Sequence, residues 1–205
     1  MPKSLLLIFL LLSFGKIIAQ DFEKYENGQI KAEGTIEEGQ RTGKWTFYYP
    51  DGKISATENY KFGKLEGICK YYDFEGNLLA MEIWNDDFQT GLNQYFYANG
   101  NIEKEGNFEN GLYQGPWKFY CENGTIKRTG HYWQGLPEGE WLFYNEKGFL
   151  IQQGDFQNGQ ENGEWTFFDD KGKPEYIGSF INGAKSGAWI YIDKKGRKSK
   201  FTPTD

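Results

Sequence analysis

One histidine and two cysteines are all that this 205-residue chain offers to the chemistries that depend on those side chains. With His131 as the single imidazole, Ser-His or Cys-His catalysis is confined to one centre, and a His/Cys zinc cluster lacks ligands. No glycine-rich phosphate loop is present either. The carboxylate pairs Glu37/Glu38 and Asp86/Asp87 fall among turn residues and recur irregularly. That is not the fixed cross-cleft spacing of a glycosidase or the oxygen cage of a calcium site. Apolar runs are scarce too: Leu5 to Leu12 follows Lys3, and Ile17-Ile18-Ala19 ends on a small residue. This is the layout of a secretory leader, residues 1–19, cut after Ala19. The run falls well short of the roughly 20 apolar residues of a membrane span, and no cysteine follows it to carry a lipid. The formal net charge of −6 becomes more acidic once Lys3 and Lys16 leave with the leader, which disfavours nucleic acid as a partner.

The chain is rich in aromatic residues, at 19%, and in glycine, at 27 residues. Glycine occupies positions 28, 52, 76, 100, 124, 148, 172 and 196, a period of 24 residues without an insertion. Such a period marks a repeat array. Seven units fill Tyr25 to Ile192 after a short lead-in, residues 20–24. A partial repeat, residues 193–205, carries Lys194, Lys195, Arg197, Lys198 and Lys200. This basic cluster suits a polar cap on a terminal strand, with docking of an acidic surface as the alternative. His131 shares its column with Thr35, Asn59, Ile83, Asn107, Asp155 and Ser179, the mixture of a tolerant, solvated position.

Each unit contains two turn signals and two stretches suited to strands. The dipeptides Asn27-Gly28, Asp51-Gly52, Asn99-Gly100 and Asn123-Gly124 read as type I′ hairpin turns. A looser turn of about six residues is expected between glycines four apart, such as Gly39/Gly43, Gly111/Gly115, Gly135/Gly139 and Gly159/Gly163. The fold class is therefore all-β: an elongated, single-layer antiparallel meander of stacked hairpins. In this register Tyr49 opposes Ile54, Phe47 opposes Ala56, Ile36 opposes Gly43 and Gly34 opposes Trp45. One face then carries Ile30, Ala32, Ile36, Trp45, Phe47 and Tyr49, while Lys31, Glu33, Thr35 and Thr46 point the other way.

Glycine and tryptophan come and go together. Gly34, Gly106, Gly130, Gly154 and Gly178 accompany Trp45, Trp117, Trp141, Trp165 and Trp189, whereas the units with Glu58 and Glu82 have Cys69 and Asn93 instead. An indole can lie across the bare backbone of a cross-strand glycine and restore the packing it lacks. These ten residues are read as structural, and repeats two and three as a soft or specialised segment. Cys69 and Cys121 would stand four strands apart, roughly 19 Å at about 4.8 Å per strand. That exceeds the ~7 Å disulfide limit, so both are expected as unpaired, mostly buried thiols on the aromatic face. Tyr48, Tyr72, Phe96, Tyr120, Tyr144 and Phe168 form a second ladder on the more polar face. They serve either cross-strand packing or as stacking platforms for a sugar chain or peptide; if the ladder is structural, the binding site is expected at the turn edges near Gly111 to Gly115 and Gly135 to Gly139.

The recurring pattern Asn-Gly-x-Ile, Gly-x-Phe-x-Asn-Gly and Gly-x-Trp-x-Phe-Tyr resembles the bacterial variant of the MORN repeat. The resemblance covers Tyr25 to Ile192, clearest from Tyr97 to Phe168 and weakest from Tyr49 to Phe96. It implies a sheet of successive hairpins that mediates protein association or membrane-linked assembly; an antitoxin role, carried by many such relatives, would here require an exported toxin. The leading expectation is a secreted or periplasmic, non-enzymatic scaffold with a protein partner and no catalytic residue, metal or cofactor. A polysaccharide-binding module using the aromatic ladder is the alternative.

Overall fold

The structure, a computed structural model, describes residues 18–203, so the apolar run Leu5 to Leu12 lies outside it. The first strands of the units are β2 (Ile30–Glu37), β4 (Ile54–Lys61), β7 (Leu78–Asn85), β10 (Ile102–Glu109), β12 (Ile126–Trp133), β14 (Leu150–Gln157) and β16 (Pro174–Ile181). The second strands are β3 (Gln40–Tyr48), β11 (Leu112–Tyr120), β13 (Leu136–Tyr144), β15 (Gln160–Phe168) and β17 (Ala184–Ile192). In units two and three the second strand is split into β5 (Lys64–Leu65) and β6 (Gly67–Tyr72), and into β8 (Phe88–Gln89) and β9 (Gly91–Phe96). The flanking strands are β1 (Ile18–Lys24) and β18 (Lys198–Phe201). Ladders run antiparallel in chain order from β1 to β18, one open meander as the repeat pattern requires.

The turn types are the reverse of the sequence reading. The Asp51-Gly52 site is a three-residue loop in which Gly52 N–H donates to Tyr49 O and Tyr49 N–H to Lys53 O, with positive φ at Gly52 but not at Asp51. This is a type I turn closed by a glycine bulge. Asp51 and its equivalents act through their side chains: Asn27, Asp51, Asn99 and Asn123 accept from the backbone N–H two residues on. Where that position is not Asn or Asp, the cap moves to the start of the loop. Asp73, Asn145, Asp169 and Asp193 accept from backbone N–H groups two and four residues ahead. The true two-residue turns are Glu38-Gly39, Phe62-Gly63, Asp86-Asp87, Asn110-Gly111, Gln134-Gly135, Asn158-Gly159 and Asn182-Gly183, with positive φ at both residues.

The registers shift accordingly. Phe47 faces Ala56 as expected, but the bulge places Tyr48 rather than Tyr49 opposite Ile54. The two-residue turn sets Ile36 against Arg41 rather than Gly43. The second glycine of each looser pair lies inside the strand, where Gly106 faces Trp117 and Asn107 faces Gln114, leaving Gly115 and Pro116 as an insertion. Such bulges bend a strand and increase its twist.

The core is the glycine/tryptophan row. A Cβ on Gly34, Gly106, Gly130, Gly154 or Gly178 would lie 2.0–2.3 Å from Cδ2 of Trp45, Trp117, Trp141, Trp165 or Trp189, so each indole rests on its glycine. These tryptophans are at most 6% exposed. Four indole N–H groups donate to the carbonyl just after the glycine: Thr35, Asn107, His131 and Asp155, at 3.0–3.2 Å. Burial of an indole contributes roughly 4–6 kcal/mol of transfer free energy. Neighbouring rings complete each cage: Trp141 meets Tyr132 at 5.1 Å, Phe156 at 5.6 Å and Phe143 at 6.0 Å.

Candidate binding surfaces

The tryptophan face is interrupted in units two and three. Ring contacts link Phe108, Tyr113 and Trp117 onward to Trp189, and separately join Trp45 to Phe47 and Tyr60. Between the two clusters lie Glu58, Cys69, Glu82 and Asn93. Trp45 faces Glu58, Cys69 faces Glu82, and Asn93 faces Gly106.

This polar interval is satisfied internally. Asn93, fully buried, accepts from Ile83 N–H and donates to the carbonyls of Thr90 and Gly91. Glu82 accepts from the Trp84 indole at 3.1 Å, and Glu58 accepts from the Tyr60 hydroxyl. Burial and the Glu58 carboxylate push Tyr60 up to about 12. Burial first, then the charges of Glu58 and Glu82, raises Tyr71; burial and Glu82 do the same for Tyr95. The Cys69 thiol is also raised by burial, which keeps it protonated and a poor nucleophile. Arg41 caps one end, stacked over Trp45 at 4.4 Å and ion-paired with Glu23 at 2.7 Å, and Lys104 lies over Tyr95 at 4.2 Å at the other. The arrangement puts Glu58, Cys69, Glu82 and Asn93 on β4, β6, β7 and β9, where the other units stack an indole on a glycine.

Both cysteines are free; Cys69 is buried, whereas Cys121 is half-buried in a turn rather than within the aromatic face. His131 is exposed. Among the described residues, no group of three or more His, Cys, Asp or Glu side chains could hold a metal, and no helix is long and apolar enough to cross a membrane.

Tyr48, Tyr72, Phe96, Tyr120, Tyr144 and Phe168 all stand half-buried at the strand ends beside the bulged turns. They recur on alternate strands, about 10 Å apart at twice the strand spacing, too far for ring-to-ring stacking. Tyr48 donates to Glu33, and Tyr120 to Glu105 at 2.8 Å, on the face away from the tryptophans. Burial and the Glu105 hydrogen bond push Tyr120 up to about 12.

An apolar surface runs along the two-residue turns, the edge that the sequence offers only as the fallback to the ladder. Phe62, Phe88, Leu112, Trp133 and Leu136 are 48–73% exposed and cluster at this one edge of the sheet. Consecutive turns are tied together: Gly111 N–H donates to Gln89 O, Gly135 to Tyr113 O and Gly159 to Pro137 O, at 2.9–3.0 Å. Apolar side chains lie over the next turn's glycine. A Cβ on Gly135 would meet Leu112 Cδ2 at 3.4 Å, and one on Gly159 would meet Leu136 Cδ2 at 3.3 Å. The available signal was the column Phe88, Leu112, Leu136, visible only once the turn is placed immediately before it.

The family model described as MORN repeat variant matches residues 41–62, 89–110, 113–134 and 161–182. Each matched segment starts just after one two-residue turn and finishes within the next. Residues 63–88, with Cys69 and Glu82, lie outside the matches, as do residues 135–160, where Trp141 and Gly154 are in place. No curated protein matches the sequence. Similar solved structures include chains titled "Crystal Structure of TcdB2-TccC3-Cdc42" and "Crystal Structure of TcdB2-TccC3", each 12% identical. They cover 93% and 86% of this chain with TM-scores of 0.24 and 0.19, and this chain spans 14% and 13% of theirs.

Proposed function

From the premise that this chain is built with MORN-variant repeats, we propose that it is an exported, non-enzymatic scaffold that associates with a protein partner through its two-residue-turn edge. The observation that carries this reading is the exposed apolar ridge of Phe88, Leu112, Trp133 and Leu136 on turns locked together by backbone hydrogen bonds. Aromatic and aliphatic side chains held rigidly at a surface lose little entropy on docking, which is what an interface anchor requires. The buried indoles of the opposite region contribute to the fold and are closed to a ligand. Export follows from the leader-like pattern of residues 1–19.

A second reading rests on the half-buried aromatic ladder, one ring per repeat, as a polysaccharide platform. The two are separated by capture experiments on cell-envelope extract. Leu112→Asp/Leu136→Asp is expected to lose a captured protein while keeping the wild-type melting temperature, and Tyr120→Ala/Tyr144→Ala is expected to retain it. Undiminished capture by the first variant contradicts the ridge. Polysaccharide retention lost only in the second favours the ladder.

A further inference from the structure

The two edge strands are complementary halves of one repeat. β1 has the register of a second strand: Asp21 faces Gly34, Glu23 faces Ala32, and the ladder slips between Glu23 and Lys24. The same steps occur in β13 against β14, where Trp141 faces Gly154, Phe143 faces Gln152, and the slip follows Phe143. β18 lies where a first strand belongs, with Lys198 opposite Ile192 just as Pro174 is opposite Phe168. It lacks the slip, so Phe201 rather than Thr202, which stands at the glycine position of the repeat, faces Trp189. Among the described residues β1 pairs only with β2 and β18 only with β17. Every described side chain on both strands, Gln20 to Lys24 and Lys198 to Phe201, is exposed.

We infer that the chain self-associates head to tail, the β1 edge of one copy adding to the β18 edge of the next. This placement continues the antiparallel alternation and also the alternation of first and second strands. The edges differ in charge. β1 carries Asp21 and Glu23 against Lys24 and is acidic by one charge, while Lys198 and Lys200 make β18 basic, with Lys194 and Lys195 in the turn before it. Two β18 edges repel each other, as lysines on an edge strand generally do. An acidic β1 edge relieves that repulsion, so the charges select the heterologous contact over the symmetric one. A heterologous contact that does not close into a ring is open-ended. The attraction is between edges rather than through one assigned ion pair, and Glu23 remains engaged with Arg41 of its own copy.

Analytical ultracentrifugation of the natively purified chain over a concentration series tests this. At low salt the mass is expected to climb past the dimer. At about 1 M salt, where the Debye length is about 3 Å, it should fall back to the monomer. Gln20→Lys/Asp21→Lys, which spares the Glu23 pair, and Lys198→Glu/Lys200→Glu should each be monomeric, and mixing the two variants should restore assembly because each supplies the edge charge that the other lost. Circular dichroism melting verifies that both variants fold. A wild-type chain that stays monomeric at every concentration overturns the inference. So does assembly that is indifferent to both variants or strengthened by salt, the signature of apolar association.

Discussion

The contact between Trp141 and Gly130 carries the residue-scale account, because the indole occupies the volume a side chain would need. Trp141→Ala should cost about 3–5 kcal/mol, the range for truncating a buried aromatic. Gly130→Val should also destabilise, since its Cβ would lie 2.1 Å from Trp141 Cδ2. Urea denaturation of both variants measures this; near-wild-type midpoints would place the indole elsewhere. This pair was legible in the sequence because the 24-residue period aligns it five times and two units lose both members at once. The turns were misread because Asn-Gly and Asp-Gly satisfy two geometries, and here the Asn or Asp side chain caps a type I turn instead of adopting positive φ. Asp169 shows the consequence in acid. Backbone N–H groups of Lys173 and Lys171 lower its pKa; Asp193 is lowered by the backbone N–H and side chain of Arg197, and Asp73 first by the Asn77 side-chain amide and then by backbone N–H groups of its loop. A lowered folded-state pKa means stabilisation that is present above the ordinary carboxylate value of about 3.9 and is lost as pH falls through the folded value. NMR titration should show these three carboxyls titrating below the ordinary value, with the Lys171 and Lys173 amides losing protection in step.

At the scale of elements, strands β4 to β9 differ from the rest because carboxylate, thiol and amide replace the stacked rings. Asn93→Trp alone should destabilise, since Glu82 occupies the place where the other units have the glycine that receives an indole. Glu82→Gly added to Asn93→Trp restores the pair and should recover the loss; equal melting temperatures for the single and double variants would contradict the packing rule. Sequence comparison among the units located this interval, but it could not show that Asn93 satisfies the backbone of Ile83, Thr90 and Gly91, a relation that depends on the strand break at Thr90 and the positive φ of Gly91. The same chemistry is visible in alkali. Tyr60 and Tyr120, both pushed up to about 12, should ionise well after an ordinary tyrosine at about 10. Their raised folded-state values stabilise the sheet below pH ~10, and that contribution disappears as pH rises through about 12. Tyrosinate absorbance followed against pH in the Glu105→Gln variant should show one late group moving earlier.

For the whole molecule, one open meander leaves three kinds of exposed surface: two faces, two strand edges and two rows of turns. The period and the Gly/Trp columns made the sheet legible in advance. They did not reveal the apolar ridge on the turn edge, because Leu112 and Leu136 read as ordinary strand residues until the turn before them shrinks to two residues. Site-specific photo-crosslinking in the cells that make the protein tests the central claim most directly, with the crosslinker placed at Leu112 on the ridge and, separately, at Tyr120 on the ladder. The account predicts a discrete protein adduct from position 112 and none from position 120. An adduct from 120 with none from 112 would contradict it.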